Sequence, residues 1–193
     1  MNSNTSKKMR TTRTRTKKTN NRKKEDLKKG LLFLLIPISA LICALIITSL
    51  FINLAVVPSG SMENTIPSGS IVFGSRLAYK NESPARGDIV FFRSDDVKNA
   101  VLIKRVIAIG GDRFSMKDGY VYINGTLLEE DYLKTRGSDS IEEFTVPEGH
   151  LILLGDDREN SVDSRYWNKR SIPEENVIGK ALCILFPKPE KIK

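Results

Sequence analysis

The chain has 193 residues, 31 Lys or Arg against 23 Asp or Glu, two cysteines and a single histidine. That is room for one domain of ordinary size with appendages, and it leaves no disulfide framework and no His/Cys cluster of the kind that holds a metal. The charge is lopsided: residues 1–29 hold 12 of the basic and 2 of the acidic residues, so the tail carries +10 and the rest of the chain −2. A basic surface for nucleic acid on the folded body is thereby excluded, because the excess charge belongs to the tail alone.

No charged residue lies between Lys29 and Glu63. The centre of this gap, "LLFLLIPISALICALIITSLFI" from Leu31 to Ile52, is long enough to cross a bilayer as a helix. Pro37 and the few hydroxyl residues are tolerable in such a helix. A cleaved signal peptide fits poorly, since its apolar core runs to only about 7–15 residues. The expected organisation is a basic cytoplasmic tail over 1–29, a transmembrane helix over 30–54 and an extracytoplasmic domain over 55–193. Basic flanks stay in the cytoplasm, which sets this single-pass orientation. Anionic lipid headgroups, rather than nucleic acid, are the natural partner of the tail. Cys43 falls inside the span and Cys183 near the C-terminus, too far apart in depth to pair.

Beyond the span the pattern changes to short apolar runs broken by turn residues. "SIVFGS" (70–75), "GDIVFFR" (87–93), "AVLIKRVIAIG" (100–110), "GYVYING" (119–125), "HLILLGD" (150–156) and "VIGKALCILF" (177–186) are rich in Val, Ile and Phe. Asn124-Gly125 is a two-residue hairpin signal. No amphipathic helix of useful length follows Val56. The fold class expected is mainly β: an N-terminal transmembrane helix followed by an all-β catalytic domain of coiled antiparallel sheets. Residues 130–145 and 157–175 read as polar connections, where function tends to sit.

"VVPSGSMENTIPSGSIV" (56–72) sets two Pro-Ser-Gly-Ser tetrads directly after the span. A serine hydroxyl becomes a nucleophile only when something removes its proton. The only histidine, His150, opens an apolar strand after a Pro-Glu-Gly turn, and nothing near it resembles a triad. The other helper is a neutral lysine. Strand alternation puts Leu102, Lys104 and Val106 on one face and Ile103, Arg105 and Ile107 on the other. A lysine turned inward among aliphatics loses hydration of its charged form, so its pKa falls and it becomes a base near neutral pH. The competing reading is that Lys104 and Arg105 snorkel or pair with carboxylates.

Four motifs in order, "PSGSM", "GDIVFF", "KRVIAIGGD" and "GDDRENSVDSRYW", decide between these readings. The sequence resembles the type I signal peptidases, membrane-bound Ser/Lys endopeptidases that cut leader peptides from exported proteins, and in size their short single-span form common in Gram-positive bacteria. The resemblance covers residues 22–187. It implies Ser61 as nucleophile and Lys104 as general base, with no cofactor and no metal. It further implies that the Ser59 hydroxyl and the Ser61 N–H form the oxyanion hole, and that Ser161 orients the lysine amine. Asp163 and Arg165 correspond to a structural ion pair beside the site, and Gly155 and Asp156 open the same loop. The implied substrates are preproteins cut after small residues in Ala-X-Ala sites, and shallow pockets lined by Val57, Pro58, Met62, Leu102 and Ile103 would suit such side chains.

Three positions depart from the family pattern. Asn64 stands where proline is usual, which is expected to loosen the turn after the nucleophile. Asp157 stands where asparagine is common. The turn Ala108-Ile109-Gly110-Gly111-Asp112 lacks its proline. None removes a reacting group. Self-cleaving Ser/Lys repressors are soluble DNA-binding proteins, against which the span argues. A catalytically dead β-domain that binds signal peptides would not need Ser61, Lys104 and Ser161 together. The second tetrad, with Ser68 and Ser70, has no lysine motif at matching spacing and reads as a turn.

Overall fold

The computed structural model describes residues 28–192 apart from 47, 49, 98 and 99. Of the basic tail, all but Lys28 and Lys29 lies outside the described residues. Helix α1, Lys28–Ile46, is long and apolar enough to span a bilayer, and a helix apolar on all sides needs apolar surroundings on all sides. Ser39 Oγ donates to the Ile36 carbonyl and, just past Ile46, Thr48 Oγ1 donates to that of Ala44, so neither of these two hydroxyls is left for lipid to satisfy.

The second unit is built from strands β1 (Ile52–Val56), β2 (Ile71–Ser75), β3 (Ile89–Ser94), β4 (Ala100–Ile109), β5 (Arg113–Lys117), β6 (Tyr120–Ile123), β7 (Thr126–Leu127), β8 (Ile141–Thr145), β9 (His150–Leu154), β10 (Ile172–Pro173), β11 (Val177–Phe186) and β12 (Glu190–Lys191). The larger sheet has the order β1-β2-β11-β3-β4-β9-β10, with β12 beside β11, and the smaller one β7-β6-β5-β8. The expectation of an all-β domain of antiparallel sheets is met. Extended backbone, however, begins within the 30–54 segment expected to be helical. Ile52–Val56 is strand, paired residue for residue with β2 from Ile52↔Ser75 to Val56↔Ile71. Apolar composition alone could not reveal this, because an apolar strand and the end of an apolar helix look alike.

All six apolar runs contain strands. The Asn124-Gly125 hairpin joins β6 to β7 with both residues left-handed, at φ 54° and 79°, as a two-residue primed turn requires. β5 and β8 were not expected. "RFSMK" and "IEEFT" are too polar to stand out, yet Phe114 and Met116 turn one face of β5 into a core, and β8 pairs beside it at Phe114↔Phe144.

Three apolar clusters place the site. One gathers Val57, Met62, Ile66, Val72, Ile89, Phe91, Ile103, Ala181 and Ile184. A second, with Val90, Phe92, Val106, Leu151, Leu153 and Trp167, takes Leu102 against it. The third fills the space under the smaller sheet, from Ile107 to Leu154. Ile103 and Val106 thus fall in different clusters, and the alternation read from "VLIKRVI" is realised along β4.

Candidate active site

Ser61 sits in a single 3₁₀ turn, Gly60–Met62, between the end of β1 and the Thr65–Ile66 bend. Backbone bonds from Glu63 N–H to the Gly60 carbonyl and from Ile66 N–H to the Met62 carbonyl close the turn, at 2.8 and 2.6 Å. Met62 is wholly buried beneath it and pins it to the core. Lys104 projects from β4 on the face shared with Leu102, Val106 and its cross-strand partner Val90. Lys104 Nζ lies 2.5 Å from Ser61 Oγ, and the two residues are only 3 % and 5 % exposed.

Burial sets the chemistry of this pair. Desolvation lowers the Lys104 pKa to about 8, against opposing pulls from the Asp163 and Asp156 carboxylates, with a smaller push in the same direction as burial from Arg165. Near neutral pH an appreciable fraction of the amine is therefore uncharged and able to accept the Ser61 proton. The Ser59 hydroxyl is exposed beside Ser61, Oγ to Oγ 3.4 Å.

The loop after β9 closes over the dyad. Asp157 N–H donates to the Ser61 carbonyl at 3.1 Å. A Cβ on Gly155 would fall 2.3 Å from Ser161 Oγ and 2.5 Å from the Ser61 carbonyl oxygen, so only glycine lets loop and turn approach this closely. Ser161 Oγ is buried without a hydrogen-bond partner; its packing is beside Gly155 and no bond joins it to Lys104 in this arrangement. The Asp163–Arg165 pair expected from the resemblance is present and two-pronged, Nε to Oδ1 at 2.8 Å and Nη2 to Oδ2 at 2.9 Å. Asp163 also accepts the Gly155 N–H at 3.0 Å. Both residues are buried, which makes this a framework contact rather than a solvated surface pair.

The pocket lining is placed differently from the expectation, while His150 lies apart from the site as expected. Val57, Met62 and Ile103 are 3 %, 0 % and 7 % exposed and pack into the first apolar cluster, so their side chains offer a substrate almost no surface. Of the five residues assigned to pockets, Pro58 is exposed and Leu102 half-buried. His150 lies at the opposite end of β9 from Gly155, its Nδ1 3.1 Å from the Glu148 carbonyl, well away from Ser61.

Sequence comparison bears directly on this geometry. The profile described as signal peptidase, peptidase S26, matches residues 29–186. The chain belongs to that family. It is 32 % identical over 157 residues to the probable signal peptidase I-2 of Synechocystis, covering 79 % of this chain and 71 % of that one. It is 28 % identical over 200 residues to signal peptidase I of Pseudomonas aeruginosa, covering 78 % and 70 %. A crystal structure of a signal peptidase I from Enterococcus faecalis is 32 % identical, with a TM-score of 0.43 over 51 % of this chain and 97 % of that one.

This S26 peptidase is a serine endopeptidase, and its site has supports that the sequence did not announce. Arg105 clamps Asp156 with Nε to Oδ1 at 2.9 Å and Nη2 to Oδ2 at 2.8 Å, and stacks 4.0 Å above the Tyr132 ring. Thr65 Oγ1 donates to the same carboxylate, and Asn64 Nδ2 donates to the Asp156 carbonyl at 2.7 Å. Arg158, fully buried, pairs with equally buried Glu130, and Arg165 reaches Asp139 at 2.6 Å. The segment 130–139 is thus bolted to the loop carrying Ser161. An arginine within an apolar strand was the only available signal for the first of these clamps; nothing local marks Glu130 or Asp139.

Proposed function

We propose that this chain is a signal peptidase I that removes signal peptides from exported preproteins, with Ser61 as nucleophile and Lys104 as general base. The observation that carries the assignment is the Lys104–Ser61 contact of 2.5 Å in a nearly dry setting. Neutral Lys104 takes the hydroxyl proton as Ser61 Oγ bonds to the scissile carbonyl carbon. The oxyanion is met by the Ser61 N–H and the Ser59 hydroxyl; losing one such donor typically costs about 10²–10³ in rate. The Lys104 ammonium returns its proton to the leaving amine as the peptide bond breaks. Water then opens the acyl-enzyme by the same route. Ser161, a buried hydroxyl without a partner beside Gly155 and the Ser61 carbonyl, is the group that would hold the amine in line once substrate is present.

Two open strand edges support an extended peptide as substrate. The N-terminal half of β4 pairs with β3 only, since β9 joins β4 from Arg105 onward. β1, which runs into the nucleophile turn, pairs with β2 only. A peptide laid along such an edge gains backbone hydrogen bonds whatever its side chains. Specificity for small residues then rests on how little room Pro58 and Leu102 leave beside the scissile bond. The basic residues 1–29 remain in the cytoplasm near anionic headgroups, the apolar helix crosses the membrane once, and the β-domain works on the far side. The few residues between Ile52 and Ser61 keep the nucleophile close to that surface, where the end of a signal helix would present its cut site.

The test is processing of an Ala-X-Ala preprotein in detergent by wild type and by Ser61→Ala. Cleavage after the second alanine by wild type, with loss of at least a thousandfold in the variant and an unchanged circular dichroism spectrum, is expected. Equal cleavage by both proteins would remove the assignment.

A further inference from the structure

Asn64, which by sequence should loosen the turn that follows the nucleophile, does the reverse. Its amide Nδ2 donates to the Asp156 carbonyl at 2.7 Å, across 92 positions of sequence. The receiving residue is the hub of the site. Asp156 is fully buried, its carboxylate is held by Arg105 and Thr65, and its neighbours Gly155 and Asp157 both touch the Ser61 carbonyl oxygen, one by close packing and one by an N–H bond.

We infer that Asn64 is a positioning residue: its amide bond to the Asp156 carbonyl fixes the nucleophile turn against the loop of Ser161, and so sets the distance between Ser61 and Lys104. The inference rests on the Ser/Lys reading above. Three contacts join the turn to that loop. Asp157 N–H to the Ser61 carbonyl is backbone and available to any sequence. Thr65 grips a carboxylate that Arg105 already holds. Asn64 alone ties the turn to the loop backbone through a side chain. It therefore controls rotation of the turn about the Ser61 carbonyl, a motion that would carry Oγ away from Nζ. The turn is also shaped for a non-proline residue here. Glu63 is right-handed helical at φ −54°, ψ −29°, a conformation that a following proline disfavours. The amide bond thus does in this chain what ring rigidity could not do with Glu63 so placed.

Asn64→Ala removes the amide, and Asn64→Asp keeps its shape while replacing the donor by an ionised acceptor facing a carbonyl. Misplacement of a reacting atom by about 1 Å costs roughly 10²-fold in rate. Both variants should lose between about tenfold and a hundredfold in kcat on the preprotein, with KM within twofold of wild type; in Asn64→Ala, which leaves both the charges around Lys104 and its burial as they are, the pH inflection of the reaction should stay unmoved. Thermal unfolding measured alongside keeps the comparison at temperatures where every variant is folded. A kcat within twofold of wild type in either variant, or a rise in KM with kcat retained, would overturn the positioning role while leaving the Ser/Lys reading intact. Wild type no more active than Ser61→Ala would sink both.

Discussion

Titrating the reaction from pH 9 down to pH 6 removes the neutral form of Lys104 without any substitution in the chain. With a pKa of about 8, half of the amine is neutral at pH 8 and roughly 1 % at pH 6. Were the pKa still at the ordinary lysine value of 10.5, only about 0.3 % would be neutral at pH 8, so burial raises the working form more than a hundredfold. The same shift acts on stability. The folded pKa lies below the unfolded one, so the folded protein releases its proton first, and stability rises with pH between about 8 and 10.5. Below pH 8 the full penalty of a buried ammonium is present, about 3 kcal/mol. Single-turnover cleavage of a preprotein in detergent reads the first effect. The logarithm of kcat/KM should climb with unit slope from pH 6 and level off above about pH 8. A profile flat from pH 6 to 9, or one still climbing at pH 10, would refute the argument that burial among Val90, Leu102 and Val106 creates the base.

Other outcomes follow from the same contacts. Lys104→Met should abolish cleavage yet unfold at higher temperature than wild type at pH 6, by up to about 3 kcal/mol, with the gap closing towards pH 10.5; thermal melts across pH check it. Asp163→Asn removes the carboxylate that most raises the Lys104 pKa while leaving Arg165 in place, so the activity inflection should move to lower pH. The same change takes from a buried arginine one of its two carboxylate partners, Asp139 remaining, and chemical denaturation should show a loss of about 1–3 kcal/mol. Gly155→Ala forces a methyl onto the Ser61 carbonyl and Ser161; it should cost about 1–3 kcal/mol of stability and lower kcat by roughly a hundredfold, read by denaturation and by single-turnover kinetics.

Much of this molecule can be read from its residues, and the limits have physical causes. The inward face of Lys104 was legible from strand alternation, but alternation alone left a snorkelling or ion-paired lysine equally open, and only the four motifs in order singled it out. The Asn124-Gly125 turn was legible because few dipeptides accept two successive left-handed residues. The start of β1 was not, since apolar content cannot tell the last turn of a span from the first strand beyond it. Nor was β8, whose "IEEFT" acquires its apolar partners only through Phe114 and Met116 of another strand. The pocket assignment erred for a related reason. Val57, Met62 and Ile103 are near the nucleophile in sequence or register, but the direction in which each side chain points decides between pocket and core. Contacts such as Glu130–Arg158 and Asn64–Asp156 join positions 28 and 92 residues apart, and polar residues in loops carry no local mark of what they will meet.

In the larger sheet the hairpin leading from the nucleophile, β1–β2, and the pair bearing the base, β3–β4, are not neighbours; β11 lies between them. That strand, Val177–Phe186, supplies Ala181 and Ile184 to the cluster on which Met62 rests. The turn of Ser61 and the strand of Lys104 thus share a third segment as their common backing, so a change of packing along β11 would be felt by both without touching either.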